Sequence, residues 1–335
     1  SLLHWLFILL IPPLFIACNI NVDSSNDNLI REISFGQEHK IGLMNPTFMA
    51  SDKKDHLFIS DPFLSGVIHY DLDGNFQNVI GSGGSGPGEF THQSVIDFDS
   101  GHLFVEDQGN KRVAVLNPEG EELSLFSNKQ SFMEFTVHQD KIYAFAPESF
   151  LNPNNETDSL ITVLDTEGNI VQSFGSFINA TENLPSGISW PYLEIENSRL
   201  HVLFNYFAVY RAYDLSGKLL HEFDLSLISD VLPEEKNRKN ASYKDATSPN
   251  VQSVYKDLDV HKNDIFVLRL ALNRLIIDHF RLGEENLKYV RKYEFSNVKE
   301  GYYAIKFFYE PESKSFYVLE KNQIPMVTRY RISEK

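Results

Sequence analysis

The 335-residue chain has a single cysteine, Cys18, so no internal disulfide can form and no thiolate metal cluster can be built. Basic residues are few beside acidic ones: 30 Lys and Arg against 46 Asp and Glu leave a formal charge of −16. A phosphate backbone selects basic surfaces, so nucleic acid is excluded as a partner. Charge-driven docking on anionic lipid is disfavoured for the same reason. The eleven histidines show no H-E-x-x-H or H-x-x-x-H spacing, and no G-x-S-x-G elbow is present. The sequence therefore offers neither a zincin-type metal motif nor a hydrolase nucleophile. Long amphipathic helical patterns are missing too. Apolar residues instead come in short runs rich in aromatic and β-branched side chains, drawing on 26 Phe and 15 Tyr, and such runs favour strands.

The longest uncharged apolar stretch, residues 2–17, is too short for a comfortable membrane helix, and Pro12 and Pro13 interrupt it. It fits the apolar core of a secretory signal, so residues 1–17 are expected to be a signal peptide. The stretch ends in LFIAC at 14–18, which resembles a bacterial lipobox: Ala17 precedes a cysteine that is lipidated and becomes the mature N-terminus. Residues 18–28 then read as the lipidated Cys18 and a small, polar, flexible tether. The membrane is reached through that anchor only.

From residue 29 to 335 one module recurs. Its clearest strand reads HLFIS at 56–60, HLFVE at 102–106, KIYAF at 141–145, RLHVL at 199–203, DIFVL at 264–268 and SFYVL at 315–319, with starts 46, 39, 58, 65 and 51 residues apart. A second series follows: VIHYD at 67–71, RVAVL at 112–116, LITVL at 160–164, VYRAY at 209–213, LIIDH at 275–279 and MVTRY at 326–330. Four of these run into turns, DLDGN at 71–75, NPEG at 117–120, DTEG at 165–168 and DLSG at 214–217. Asp or Asn opens each turn by bonding the backbone two residues on, and Gly supplies the positive φ that closes it. Outer strands follow, such as IVQSF at 170–174 and LLHEF at 219–223. A third series precedes the first: TFMA at 47–50, SVIDF at 94–98, EFTV at 134–137, YLEI at 192–195, VYKDL at 254–258 and YAIKF at 303–307. Six units of four antiparallel strands, each about 50 residues long, predict an all-β, six-bladed β-propeller. The sixth unit lacks its outer strand, and LIREISF at 29–35 is free to supply it, so the ring is expected to close by pairing the two chain ends.

The second unit resembles an NHL repeat, on Gly81, Gly84, Gly86, Pro87, Gly88, Glu89, Phe90, Val105, Asp107, Asn110, Arg112 and Val113. With the lipobox, the chain resembles the bacterial six-bladed β-propeller lipoproteins of the NHL and TolB-like group. The resemblance implies a cell-envelope location, on the outer membrane and facing periplasm or exterior. In the NHL pattern Asp107 caps backbone N–H groups, Asn110 takes the left-handed conformation and Arg112 reaches back to a carboxylate. NHL-type lyases hold zinc with histidines on one propeller face, and no residue here carries that over.

Residues 81–88 lack the Lys-Ser/Thr of a phosphate loop and read as a connection between blades. Period-two alternation on the inner strands is expected to send Asp97, Asp99, Glu134, His138, Glu194, Glu196, Lys256, Asp257 and Lys306 toward the central channel. An acid-rich channel could hold Ca²⁺ through hard oxygen ligands, and a hydrated, salt-bridged pore is the alternative. No other cofactor is implied. Two longer connections, residues 147–158 and 229–250, are expected on the same face. Phe150, Leu151, Tyr206 and Phe207 are the candidate ligand contacts there, with Glu134 and Glu194 in the channel. The expectation is a monomeric, non-catalytic binding module for protein, peptide or glycan. The alternative is a hydrolase or lyase assisted by Ca²⁺ or Zn²⁺ at the channel mouth.

Overall fold

A computed structural model of the chain describes residues 27–37, 42–127, 131–145, 159–178, 190–205, 208–228, 255–269, 274–296, 298, 301–321 and 323–333. Six four-stranded antiparallel sheets are arranged as blades, each named here from its inner strand outward. Blade 1 comprises Phe48–Ser51, Leu57–Asp61, Gly66–Tyr70 and Phe76–Ile80. Blade 2 comprises Gln93–Asp99, His102–Asp107, Arg112–Leu116 and Glu122–Ser127. Blade 3 runs Glu134–His138, Lys141–Phe145, Ile161–Leu164 and Ile170–Phe174; blade 4 runs Pro191–Glu196, Arg199–Phe204, Val209–Asp214 and Leu219–Asp224. Blade 5 is Tyr255–His261, Asp264–Arg269, Leu275–Leu282 and Leu287–Phe295. Blade 6 takes Ala304–Glu310, Ser315–Glu320 and Met326–Ile332 from the end of the chain and Asp27–Phe35 from its beginning. Leu29 sits opposite Ile332 and Phe35 opposite Val327, so the first strand closes the ring. Asp27 and Asn28 also pair in parallel with Tyr293 and Glu294 of blade 5.

The second strands read as unbroken apolar runs because both of their faces are covered. Every residue of Leu57–Asp61 and of Ser315–Glu320 is buried. Alternate side chains go to the neighbours on either side. Leu57 and Ile59 pack with Tyr317 and Leu319 of blade 6, whereas Phe58 packs with Leu103 and Val105 of blade 2. Six apolar clusters result, one in each seam between consecutive blades. No blade keeps a core to itself.

The turns also bind the seams. Gly74 (φ +83°) and Gly217 (φ +86°) occupy the same place in the turns leading to the outer strands of blades 1 and 4. Each lies under an aromatic ring that ends the outer strand of the preceding blade, Phe35 and Phe174 respectively. A β-carbon on Gly217 would approach the Phe174 ring to 2.6 Å. Glycine is therefore required twice over there, by conformation and by space. At Gly101 (φ +84°) only conformation requires it, since no atom lies within 4 Å of the added carbon.

The alternation of strands separates two ends of the ring. Turns between first and second strands, and between third and outer strands, lie at one end. The connections between second and third strands, and from blade to blade, lie at the other. The chain enters blade 6 at the start of its outer strand, at the short-turn end, where Ile332 also donates its N–H to the carbonyl of Lys314.

Substitution of the two turn glycines separates the two requirements. Gly101→Ala is expected to cost about 1 kcal/mol, for the left-handed backbone alone. Gly217→Ala is expected to cost roughly 2–4 kcal/mol, because steric overlap in a packed seam adds to that strain. Urea unfolding of the two variants measures the order, and equal losses would show that the Phe174 contact is not rigid.

Candidate functional site

The inner strands line a channel whose enclosed space is about 140 Å³. Alternation along each strand points Asp97, Glu134, Glu194, Asp257, Asp259 and Lys306 into it. Lys53, in the turn after the first inner strand, joins them. Its backbone adopts φ +60°, which lets a turn residue swing its side chain inward. With Asp99 and His138, which also line it, six carboxylates, two ammonium groups and one imidazole share this small enclosure.

They are arranged in two tiers. In one, Lys306 of blade 6 lies 3.0 Å from Glu134 of blade 3, directly across the ring, and 2.9 Å from Asp257 of blade 5. The rings of Phe48 and Tyr192 flank the same ammonium at 5.1 and 5.3 Å from their centroids. In the other tier, Lys53 of blade 1 lies 2.6 Å from Asp259 of blade 5 and 3.5 Å from Glu194 of blade 4, again across the ring. Asp257 and Asp259 are two residues apart on one strand, so the tiers are separated by about 7 Å. Each lysine ties opposite sides of the propeller together.

The remaining carboxylate oxygens bond laterally. Asp97 accepts the N–H of Val137 at 2.7 Å and Asp99 that of Gln139 at 3.3 Å, joining blade 2 to blade 3. Glu196 accepts the N–H of Lys262 at 2.9 Å, joining blade 4 to blade 5. Asp257 and Asp259 accept those of Phe307 and Tyr309 at 2.8 and 3.1 Å, joining blade 5 to blade 6. Side chains bridge inner strands that share no backbone ladder.

Enclosure governs ionisation. Burial pushes the Glu134 carboxyl up to about 7 even though Lys306 pulls it down. Burial also raises Glu194, Asp97, Asp257 and Asp259 above the usual carboxylate range. It acts to lower the two lysines, but their carboxylate partners outweigh it and hold both ammonium groups above their ordinary range. With acids in excess over cations, burial favours the protonated form among the channel carboxyls.

Lys256, expected in the channel, lies outside its lining, whereas Asp259 and Lys53 line it without having been expected. Lys256 turns away from the channel and lies 5.2 Å from the ring of Tyr303. It adjoins Asp257, so a two-residue period already sets it on the other side, and a bulge between Tyr255 and Asp257 adds a local shift of register. Asp259 continues the same strand beyond the expected segment, and Lys53 lies in a turn that strand periodicity does not reach. The expected contacts Phe150, Leu151, Tyr206 and Phe207 lie outside the described residues, as does Cys18.

In blade 2 the motif residues form a connected turn. Asp107 accepts the N–H of Thr91 at 3.0 Å, the amide of Asn110 at 2.6 Å and Nε of Arg112 at 2.9 Å. Arg112 continues to the carbonyls of Gly86 and Glu89. The glycine-rich connection makes a turn over residues 86–89, with Pro87 second and Gly88 third at φ +66°, closed from Glu89 N–H to Gly86 O at 3.2 Å. Asn110 is not the left-handed residue. It ends the short 3₁₀ turn Gln108–Asn110, and the following Lys111 takes φ +53°.

A family model described as a 6-bladed beta-propeller matches residues 49–310, most of the chain. The chain belongs to this family, DUF5128. Solved structures share the architecture at low identity. A Bacteroides fragilis protein named "Putative exported protein" aligns over 93% of this chain and 97% of its own, with 16% identity and a TM-score of 0.63. A DUF4221-family member from Bacteroides vulgatus aligns over 92% and 99%, with 12% identity and a TM-score of 0.59. Streptogramin B lyase aligns over 91% and 98%, with 11% identity and a TM-score of 0.53. At such identities the likeness shows the fold alone. No curated protein matches the sequence.

The channel makes two predictions. Lys306→Met leaves Glu134 and Asp257 facing each other without their cation, and is expected to destabilise by about 3–5 kcal/mol. Adding Glu134→Gln should recover part of that loss. The second concerns pH. The folded state holds the Glu134 proton to about 7, whereas the unfolded chain releases it near the ordinary glutamate value of 4.5. That contribution is fully present below the unfolded value and disappears as pH rises through the folded one. Between pH 6.5 and 8.5 the loss from Glu134 is on the order of 1 kcal/mol. Denaturant titrations at both pH values should show a smaller difference in Glu134→Gln than in the wild type; an unchanged difference would place Glu134 outside the titrating set.

Proposed function

We propose that the chain is a bacterial envelope lipoprotein whose propeller serves as a binding module, taking a protein, peptide or glycan on the end that carries the longer connections. The observation supporting this most directly is that the centre of the ring is already occupied by its own charges. Both channel lysines are engaged by carboxylates from opposite blades. Oxygens that could otherwise ligate a cation accept backbone N–H groups of neighbouring blades. A ligand is then met at a rim of the ring. The alternative of metal-assisted hydrolysis or lysis at the channel mouth would have to displace these internal bonds first.

The topology supports an orientation. The segment before Asp27 enters at the short-turn end. A lipid on Cys18 would place that end toward the membrane and the connection-rich end away from it. The uncharged run before Cys18, and the "Putative exported protein" name borne by a structural neighbour, are consistent with a place outside the cytoplasm.

Two experiments test the reading. Cys18→Ser should move the chain from the membrane fraction to the soluble fraction of the envelope; retention in the membrane would remove the anchor from the proposal. Replacing residues 229–250 with a short Gly-Ser linker should abolish capture of envelope partners by the full chain while leaving its thermal unfolding unchanged. Undiminished capture would count against the connection-rich end.

A further inference from the structure

Three large apolar side chains stand in solvent at the connection-rich end where blades 6 and 1 meet. Met44 is 59% exposed, Phe63 70% and Ile324 54%. They come from three separate connections, and polar side chains hold those connections together. The Asp61 carboxylate, itself fully buried, accepts the N–H groups of Met44 at 2.7 Å, Asn45 at 3.0 Å and Phe63 at 3.1 Å. The Gln37 amide donates to Leu43 O at 2.9 Å and to Pro325 O at 2.7 Å, bringing the Ile324 turn alongside. Gln93 of blade 2 clamps the far side, donating to Asp61 O and Gly66 O.

The fold does not ask for apolar residues at these places. Blade 2 builds the same arrangement around Asp107, with Thr91 where blade 1 has Met44 and Gly109 where it has Phe63. Those two positions touch: a β-carbon on Gly109 would come within 2.8 Å of the Thr91 side chain. Blade 1 thus carries two adjoining bulky apolar groups on a scaffold that works with a glycine and a threonine. Exposed apolar groups held on a rigid frame mark contact surfaces, because little ordering entropy remains to be lost on binding.

The sequence around them identifies the partner's chemistry. No ionisable side chain occurs at residues 42–49, 62–66 or 323–326; the Arg31 guanidinium borders the patch at Met326 Sδ, 3.3 Å away, on a chain of net charge −16. Two copies of such a chain repel, whereas a basic partner is drawn in and then held by apolar contact. We infer that Met44, Phe63 and Ile324 form a docking surface for a protein segment that presents apolar side chains between basic flanks. This rests on the connection-rich end being the binding face and names the part of it that makes contact.

Panning a random dodecamer peptide library against the full chain bearing Cys18→Ser, followed by fluorescence anisotropy on synthetic peptides, tests it. The expected binders have an apolar centre and net positive charge, and lose about tenfold or more in affinity to Phe63→Ser and to Met44→Ser. Both sites are exposed, so the variants should unfold at the wild-type temperature. Binders that ignore these substitutions, acidic binders, or no enrichment would each overturn the surface. Self-association abolished by Phe63→Ser would overturn the partner in favour of a second copy. Peptides insensitive to the patch but lost on replacing residues 229–250 would refute the patch while leaving the binding face in place.

Discussion

Each blade is a sheet that is apolar on both sides. Such a sheet cannot face water on either surface, and packing two together leaves two outer surfaces bare. Only a closed circuit covers all twelve faces, and the six seam clusters are the product of that constraint. The first strand is consequently integral to the fold. It completes blade 6, and its terminal Phe35 packs in the seam with blade 1.

Closing the circuit brings six inner strands around a narrow space and raises a second problem. Backbone pairing stops at the inner edge of each blade, so unsatisfied N–H groups face the channel. Carboxylates at Asp97, Asp99, Glu196, Asp257 and Asp259 accept them. Crowded acids then require countercharge in a poorly solvated place, which Lys53 and Lys306 provide only in part. The acidity of the channel follows from how the ring is held at its centre, without reference to a guest.

Blade number, strand order and ring closure were legible because strands buried on both faces leave unmistakable runs such as HLFIS and DIFVL, and because Asp or Asn with a following Gly marks four of the outer turns. Much of the channel was legible from alternation alone. What escaped depends on local backbone departures that a two-residue period does not encode. A bulge between Tyr255 and Asp257 shifts the register beside Lys256, and the left-handed backbone at Lys53 directs a turn residue inward. The apolar group at Met44, Phe63 and Ile324 was hidden for a different reason. Its members lie far apart in sequence, and the Asp61 and Gln37 contacts that gather them have no periodic signature.

The seam between first and last strands joins residues as distant as Glu32 and Arg331, 299 positions apart. A chain made from its N-terminus therefore offers its closing strand first and must complete nearly all remaining residues before that strand finds its neighbour. Contacts this remote form slowly, and blade 6 stays unfinished throughout synthesis. The nascent polypeptide thus lacks a closed ring, and keeps an apolar seam uncovered, until nearly all of it has been made.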